Sequence, residues 1–141
     1  MCIQSKSQRE EFSRLRQSLL HLVEEIKRVI EPFFSNRPVI KGTVYELKRR
    51  CGKPGCRCAR GELHGRMVVS ASEGGKTRLR VIPQGLLLEV QTKVGRYQEH
   101  RRARARLGEL YRKMLRVIDE MEAMRREELP SSDKRGPTKG K

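Results

Sequence analysis

The chain has 141 residues, with 33 Lys or Arg against 17 Asp or Glu, a net charge of +16. Only 35% of its residues are hydrophobic and it has no Trp, which argues against a large globular core and favours long helices or a small stapled module. A field of this sign attracts polyanions, nucleic acid above all; no apolar run reaches membrane-spanning length, and the opening MCIQSKSQREEF lacks the apolar centre of a secretory signal, so no membrane and a cytoplasmic location are expected.

Residues 1–36 are expected to form one amphipathic helix, spanning about 5–34. Phe12, Leu15, Leu19, Leu22, Ile26, Val29 and Phe33 recur at spacings of 3 and 4, the a/d seam of a heptad pattern. Ser7 followed by Glu10 reads as a capping box, and Pro32 and Pro38 mark the end. Such a seam calls for a partner helix, from this chain or from a second copy.

Residues 37–82 read as a β module. GTVYELKRR predicts a first strand with Thr43, Tyr45 and Leu47 on one face. RMVVSAS and KTRLRVI flank EGG, which predicts a hairpin turning through Gly74 and Gly75. On its second strand Thr77, Leu79 and Val81 face one side, and Lys76, Arg78 and Arg80 the other. The segment holds 12 basic and 3 acidic side chains, a net of +9 in about a third of the chain.

Between the first strand and the hairpin lies CGKPGCRCARGELHG, residues 51–65. Cys51, Cys56, Cys58 and His64 offer three thiolates and an imidazole, a donor set that suits tetrahedral zinc. Gly52, Pro54, Gly55, Gly61 and Gly65 allow the sharp turns needed, and Lys53, Arg57 and Arg60 favour the thiolate forms. A structural zinc is expected here. The fourth ligand is His64 or, more remotely, Cys2. Iron–sulfur ligation lacks a fourth cysteine in the loop, free redox thiols are a competing reading, and a disulfide is disfavoured in a reducing compartment. His21 and His100 read as surface or phosphate-contacting side chains.

Pro83 suits the first turn of a second helical region, 83–129. Leu87, Val90, Val94 and Tyr97 form one stripe; Leu107, Leu110, Met114, Val117, Met121 and Met124 form another. Between them EHRRARARLGE slips in phase, and Gly108 predicts a kink or break. Arg101, Arg102, Arg104 and Arg106 would wrap most of the helix, better suited to phosphate contact than to packing. Residues 130–141 read as a disordered basic tail.

The knot, together with GGKTRLRVIP and a helical stripe through Tyr97, resembles a family of short uncharacterised prokaryotic proteins. They share CGKPxCRCA…G.LHG and GGKTR motifs, and the resemblance covers about residues 42–125. It implies a domain of unknown function, often encoded near mobile elements, and no particular activity. At RMVVSAS similar proteins carry aromatic residues where this chain has Met67, Val68 and Val69, which removes base stacking there.

The expected fold is α+β: a zinc-stapled three-stranded antiparallel sheet flanked by an N-terminal helix and a long C-terminal helix, paired as an antiparallel hairpin or in a dimer. The expected function is a nucleic-acid-binding accessory protein contacting mainly the phosphate backbone of DNA or structured RNA. Its contacts would come from Lys48, Arg49, Arg50, Lys53, Arg57 and Arg60 around the knot, Lys76, Arg78 and Arg80 on the hairpin, and Arg101, Arg102, Arg104 and Arg106. No HExxH, Walker A, GxGxxG or GxSxG motif occurs, and no catalysis is expected. The rivals are an adaptor docking a transposase or recombinase through its heptad helices, and a thiol redox sensor.

Overall fold

The computed structural model describes residues 5–49, 55, 61 and 64–131. Cys2, Arg50, Cys51, Lys53, Cys56, Arg57, Cys58, Arg60 and most of the expected tail lie outside the described residues. The chain is α+β: helix α1 (Lys6–Val29), strands β1 (Thr43–Arg49), β2 (His64–Glu73) and β3 (Lys76–Val81), and helix α2 (Leu87–Arg125). Short 3-10 turns at Glu31–Phe34 and Gln84–Leu86 follow α1 and precede α2.

The start of α1 lies earlier than the Ser7–Glu10 pattern predicts. The Ser5 N–H donates to Gln8 Oε1 (2.9 Å) and the Gln8 N–H to Ser5 Oγ (3.2 Å), a reciprocal capping box. Ser-x-x-Gln thus competes with Ser-x-x-Glu two residues on, and takes the cap. The end also differs, because α1 stops at Val29 rather than running to residue 34. Pro32 has no N–H for the ladder and crowds the preceding turn, so the chain tightens into a 3-10 turn, with the Phe33 N–H bonded to the Ile30 carbonyl at 3.0 Å.

The sheet has the order β1-β2-β3, and both pairings are antiparallel. Gly74 (φ +57°) and Gly75 (φ +80°) make the expected two-residue turn, whose left-handed backbone matches the strand twist. Register sets Val68 of the central strand between Tyr45 and Val81, and Val68 is fully buried. The Ile82 N–H, bonded to the Met67 carbonyl at 2.9 Å, carries the β2–β3 ladder one step further. Every residue of the edge strand β3 is exposed.

Helix α2 runs unbroken for 39 residues through Gly108. The glycine costs about 1 kcal/mol relative to alanine, and contacts on either side offset it. Leu110 is fully buried. Ala103 and Arg106 are half-buried in the gap where the apolar phase slips, so a small residue and an arginine stem continue the covered side.

The chain divides into two compact units, Glu25–Glu109 and a second made of Met1–Glu24 with Leu110–Lys141. The first holds the sheet and the buried Val68, Ile82 and Val94. In the second, Phe12, Leu15, Leu19 and Leu22 of α1 and Met114, Val117, Met121 and Met124 of α2 are half-buried, and Leu110 is fully buried. The partner that the seam of α1 calls for therefore comes from α2 of the same chain. Among the described residues no helix is long and apolar enough to cross a membrane.

Candidate nucleic-acid interface

Residues 38–42 are strapped along α2 by three hydrogen bonds. The Arg96 guanidinium donates to the Pro38 carbonyl (3.2 Å), the Ile40 N–H to the Lys93 carbonyl (3.1 Å), and the Gln98 amide to the Gly42 carbonyl (3.3 Å). Gly42 has φ +144°, and a Cβ there would stand 2.7 Å from both the Ser70 carbonyl oxygen and Val69 Cγ1. Only glycine fits this close approach of the strap to β2.

The strap brings three distant segments around one cleft of about 450 Å³. Its walls are Lys41, Gly42 and Thr43 ahead of and at the start of β1, Ser70, Ala71 and Ser72 of β2, and Tyr97, Gln98, Arg101 and Arg102 of α2. Three cations and four hydroxyl side chains line it, with no carboxylate among them. Lys41, Arg101 and Arg102 are exposed, and none has an ion-pair partner among the described residues. Cationic donors flanked by hydroxyls are the chemistry that holds phosphate oxygens in place.

The arginine run therefore divides. Arg101, Arg102 and Arg104 are exposed, but Arg106 donates to the carboxylates of Glu25 and Glu109, the latter at 3.0 Å. The hydrogen bond that Arg106 donates to Glu25, above all, pushes the pKa of Arg106 up from the ordinary arginine value. Its guanidinium is thus engaged by carboxylates of the same chain, although the side chain stays partly exposed.

On the hairpin, Lys76, Arg78 and Arg80 alternate along β3 as expected, spaced about 6–7 Å apart. The Glu73 carboxylate lies 3.6 Å from a guanidinium nitrogen of each arginine. All three side chains are substantially exposed, so these are loose, solvent-screened pairs that a phosphate can displace. The sequence signal for Glu73 was present: a turn through residues 74 and 75 pairs it with Lys76.

Lys48 and Arg49 are exposed at the end of β1 and point to opposite faces of the sheet. Lys48 pairs with Gly65 at the far end of β2 from the hairpin turn, so it is not gathered with Lys76, Arg78 and Arg80. Arg49 pairs with His64, the first residue of β2, so the β1–β2 ladder reaches the described residues on either side of positions 50–63. Among those positions Gly55 (φ +81°) and Gly61 (φ +103°) adopt left-handed turns. The cysteine ligands expected there lie outside the described residues, and among the described residues no group of three His, Cys, Asp or Glu could hold a metal. His100 packs edge-on against Phe33, with ring centres 4.8 Å apart, beside a second cleft that mixes Arg28, Arg37 and Arg96 with Glu31 and Glu99.

A family model described as "Domain of unknown function (DUF6788)" matches residues 9–92. The chain belongs to this family. The matched span takes in the strap, the whole sheet with its cysteine loop, and the Lys41 and Ser70–Ser72 walls of the cleft. The Tyr97–Arg102 wall lies beyond the match, on the later part of α2. No curated protein and no solved structure matches the chain.

Proposed function

We propose that the protein binds nucleic acid through the phosphate backbone, without catalysis, and that the cleft of Lys41, Arg101 and Arg102 is the centre of that contact. The supporting observation is the lining of that cleft: three cations and four hydroxyl side chains with no carboxylate, in a chain of net charge +16. Arg104 and the hairpin cations Lys76, Arg78 and Arg80 extend the basic surface. The resemblance to proteins encoded near mobile elements makes duplex DNA the first ligand to test. In a fluorescence-anisotropy titration with labelled duplex, log K is expected to fall linearly with log salt, with a slope of roughly −4 to −6 for several neutralised phosphates. No binding at low salt, or binding indifferent to salt, sinks this reading.

We also propose a structural zinc held by Cys51, Cys56, Cys58 and a fourth ligand, His64 or Cys2. The donor chemistry supports this reading: three thiols and an imidazole fall within fourteen positions of the sequence, and His64 itself pairs with Arg49 at the end of the β1–β2 ladder. Native mass spectrometry of the full chain should show one zinc per chain, lost to a strong chelator together with part of the β signal in circular dichroism. Cys56→Ser should lower the zinc content. A metal-free chain with four freely alkylated cysteines would instead support the redox-thiol reading.

A further inference from the structure

Within the unit made of Met1–Glu24 and Leu110–Lys141, both helices carry a second apolar stripe. On α1, where Phe12, Leu15, Leu19 and Leu22 are the a and d positions, Leu20 is a b and Val23 an e position. On α2, where Leu110, Met114, Val117, Met121 and Met124 are d and a positions, Tyr111 and Ile118 are e and Leu115 is b. These five side chains are not in the core: Leu20 is 62% exposed, Tyr111 57%, Leu115 41%, Ile118 41% and Val23 36%. Singly exposed apolar residues need no explanation, but five at matching heptad positions do.

The two stripes lie on one side of the helix pair. Arg125, the last residue of α2, lines a small pocket with Arg9, Phe12, Ser13 and Arg16. Helix α1 begins at Lys6, so the earlier turns of α2 stay beside it only if the two run antiparallel. In an antiparallel pair the e positions of one helix flank the e positions of the other, with the b positions next to them. Leu20, Val23, Tyr111, Leu115 and Ile118 thus form one face of a two-helix layer.

We propose that this face docks on the same face of a second copy of the chain, giving a two-fold, four-helix bundle. The same patch meets itself, as a two-fold interface requires. An axis running along the helices sets α1 of one copy over α2 of the other, antiparallel, as in up-down bundles. The borders then match in charge. Arg16 continues the α1 stripe as the preceding e position, and it already lies beside Arg125, one turn from Glu122, which continues the α2 stripe as a b position. Across the two-fold, Arg16 of each copy meets Glu122 of the other as a second cation beside Arg126, which already donates to Glu122 within its own chain. This inference is independent of nucleic-acid binding.

Sedimentation equilibrium of the full chain, free of nucleic acid, tests it. The expected mass is twice that of one chain at micromolar concentration. The double variant Leu20→Glu, Leu115→Glu is expected to sediment as one chain with unchanged helicity, since both side chains are exposed. Should that variant lose helicity, charge reversal decides. Arg16→Glu alone and Glu122→Arg alone should each weaken association roughly tenfold, and the two together should restore it. A wild-type chain that stays at single-chain mass overturns the proposal and leaves the face to a different protein. A dimer indifferent to every one of these variants overturns it as well.

Discussion

Reversing Arg101 and Arg102 to glutamate is expected to weaken duplex DNA binding by about 100-fold at low salt. Each arginine lines the cleft beside Lys41, exposed and without an internal carboxylate partner among the described residues. Charged hydrogen bonds of this kind contribute about 1.5–3 kcal/mol each, so losing two removes roughly 3 kcal/mol or more. The slope of log K against log salt should become shallower by about 2, close to one unit for each phosphate released. Anisotropy titrations at several salt concentrations read both quantities. The control is the double reversal Lys6→Glu, Arg14→Glu on α1, which changes net charge equally far from the cleft in sequence and element. If the two double variants weaken binding alike, the effect is net charge alone and the cleft is not the contact.

Leu110→Ala is expected to cost about 2–5 kcal/mol of stability, the range for emptying a packed leucine site. Leu110 has no exposed surface, so its truncation empties a packed site on α2. Against a total of about 5–15 kcal/mol for a small protein, that loss is large. The comparison is Leu88→Ala on the same helix, where the side chain is 78% exposed. Both substitutions remove the same atoms from one helix, so most of the difference between them reports packing. Leu88→Ala should change stability by less than about 0.5 kcal/mol. Urea denaturation followed by circular dichroism measures both; equal effects would place the core elsewhere.

Much of the fold was legible because its signals are local. The alternation in RMVVSAS and KTRLRVI, with two glycines between, specifies a hairpin through backbone geometry alone, and Gly74 and Gly75 adopt the left-handed pair that the turn requires. The spacing of Phe12, Leu15, Leu19 and Leu22 marks the covered side of α1. The misreadings arose where two local rules competed. Ser5–Gln8 and Ser7–Glu10 both match a capping box, and only the structure shows which is used. Pro32 marks the end of the helix as the sequence reads, but the seam carried on to Phe33 overshoots, since the missing N–H ends the α-helix at Val29. Gly108 predicts a kink or a break on propensity alone, and the helix runs unbroken through it, with Leu110 buried and Arg106 paired beside it.

The candidate site was legible only in part. The composition identified a basic chain, and the arginine run pointed to α2. Nothing in the spacing distinguishes Arg106 from Arg102: the two are one helical turn apart on nearly the same side of α2, and they differ because the Glu25 carboxylate reaches only Arg106.

The sequence by itself determined the net charge of +16, the hairpin, the helical stretches and a cysteine-rich segment, because each depends on residues close together in the chain. The tertiary structure decided which cations converge. Lys41, Ser70 and Arg101 come together because the strap of residues 38–42 is hydrogen-bonded to Lys93, Arg96 and Gln98, and because Gly42 allows that strap to press against β2. Contacts between segments so far apart are fixed by packing and backbone hydrogen bonds, and no local pattern records them.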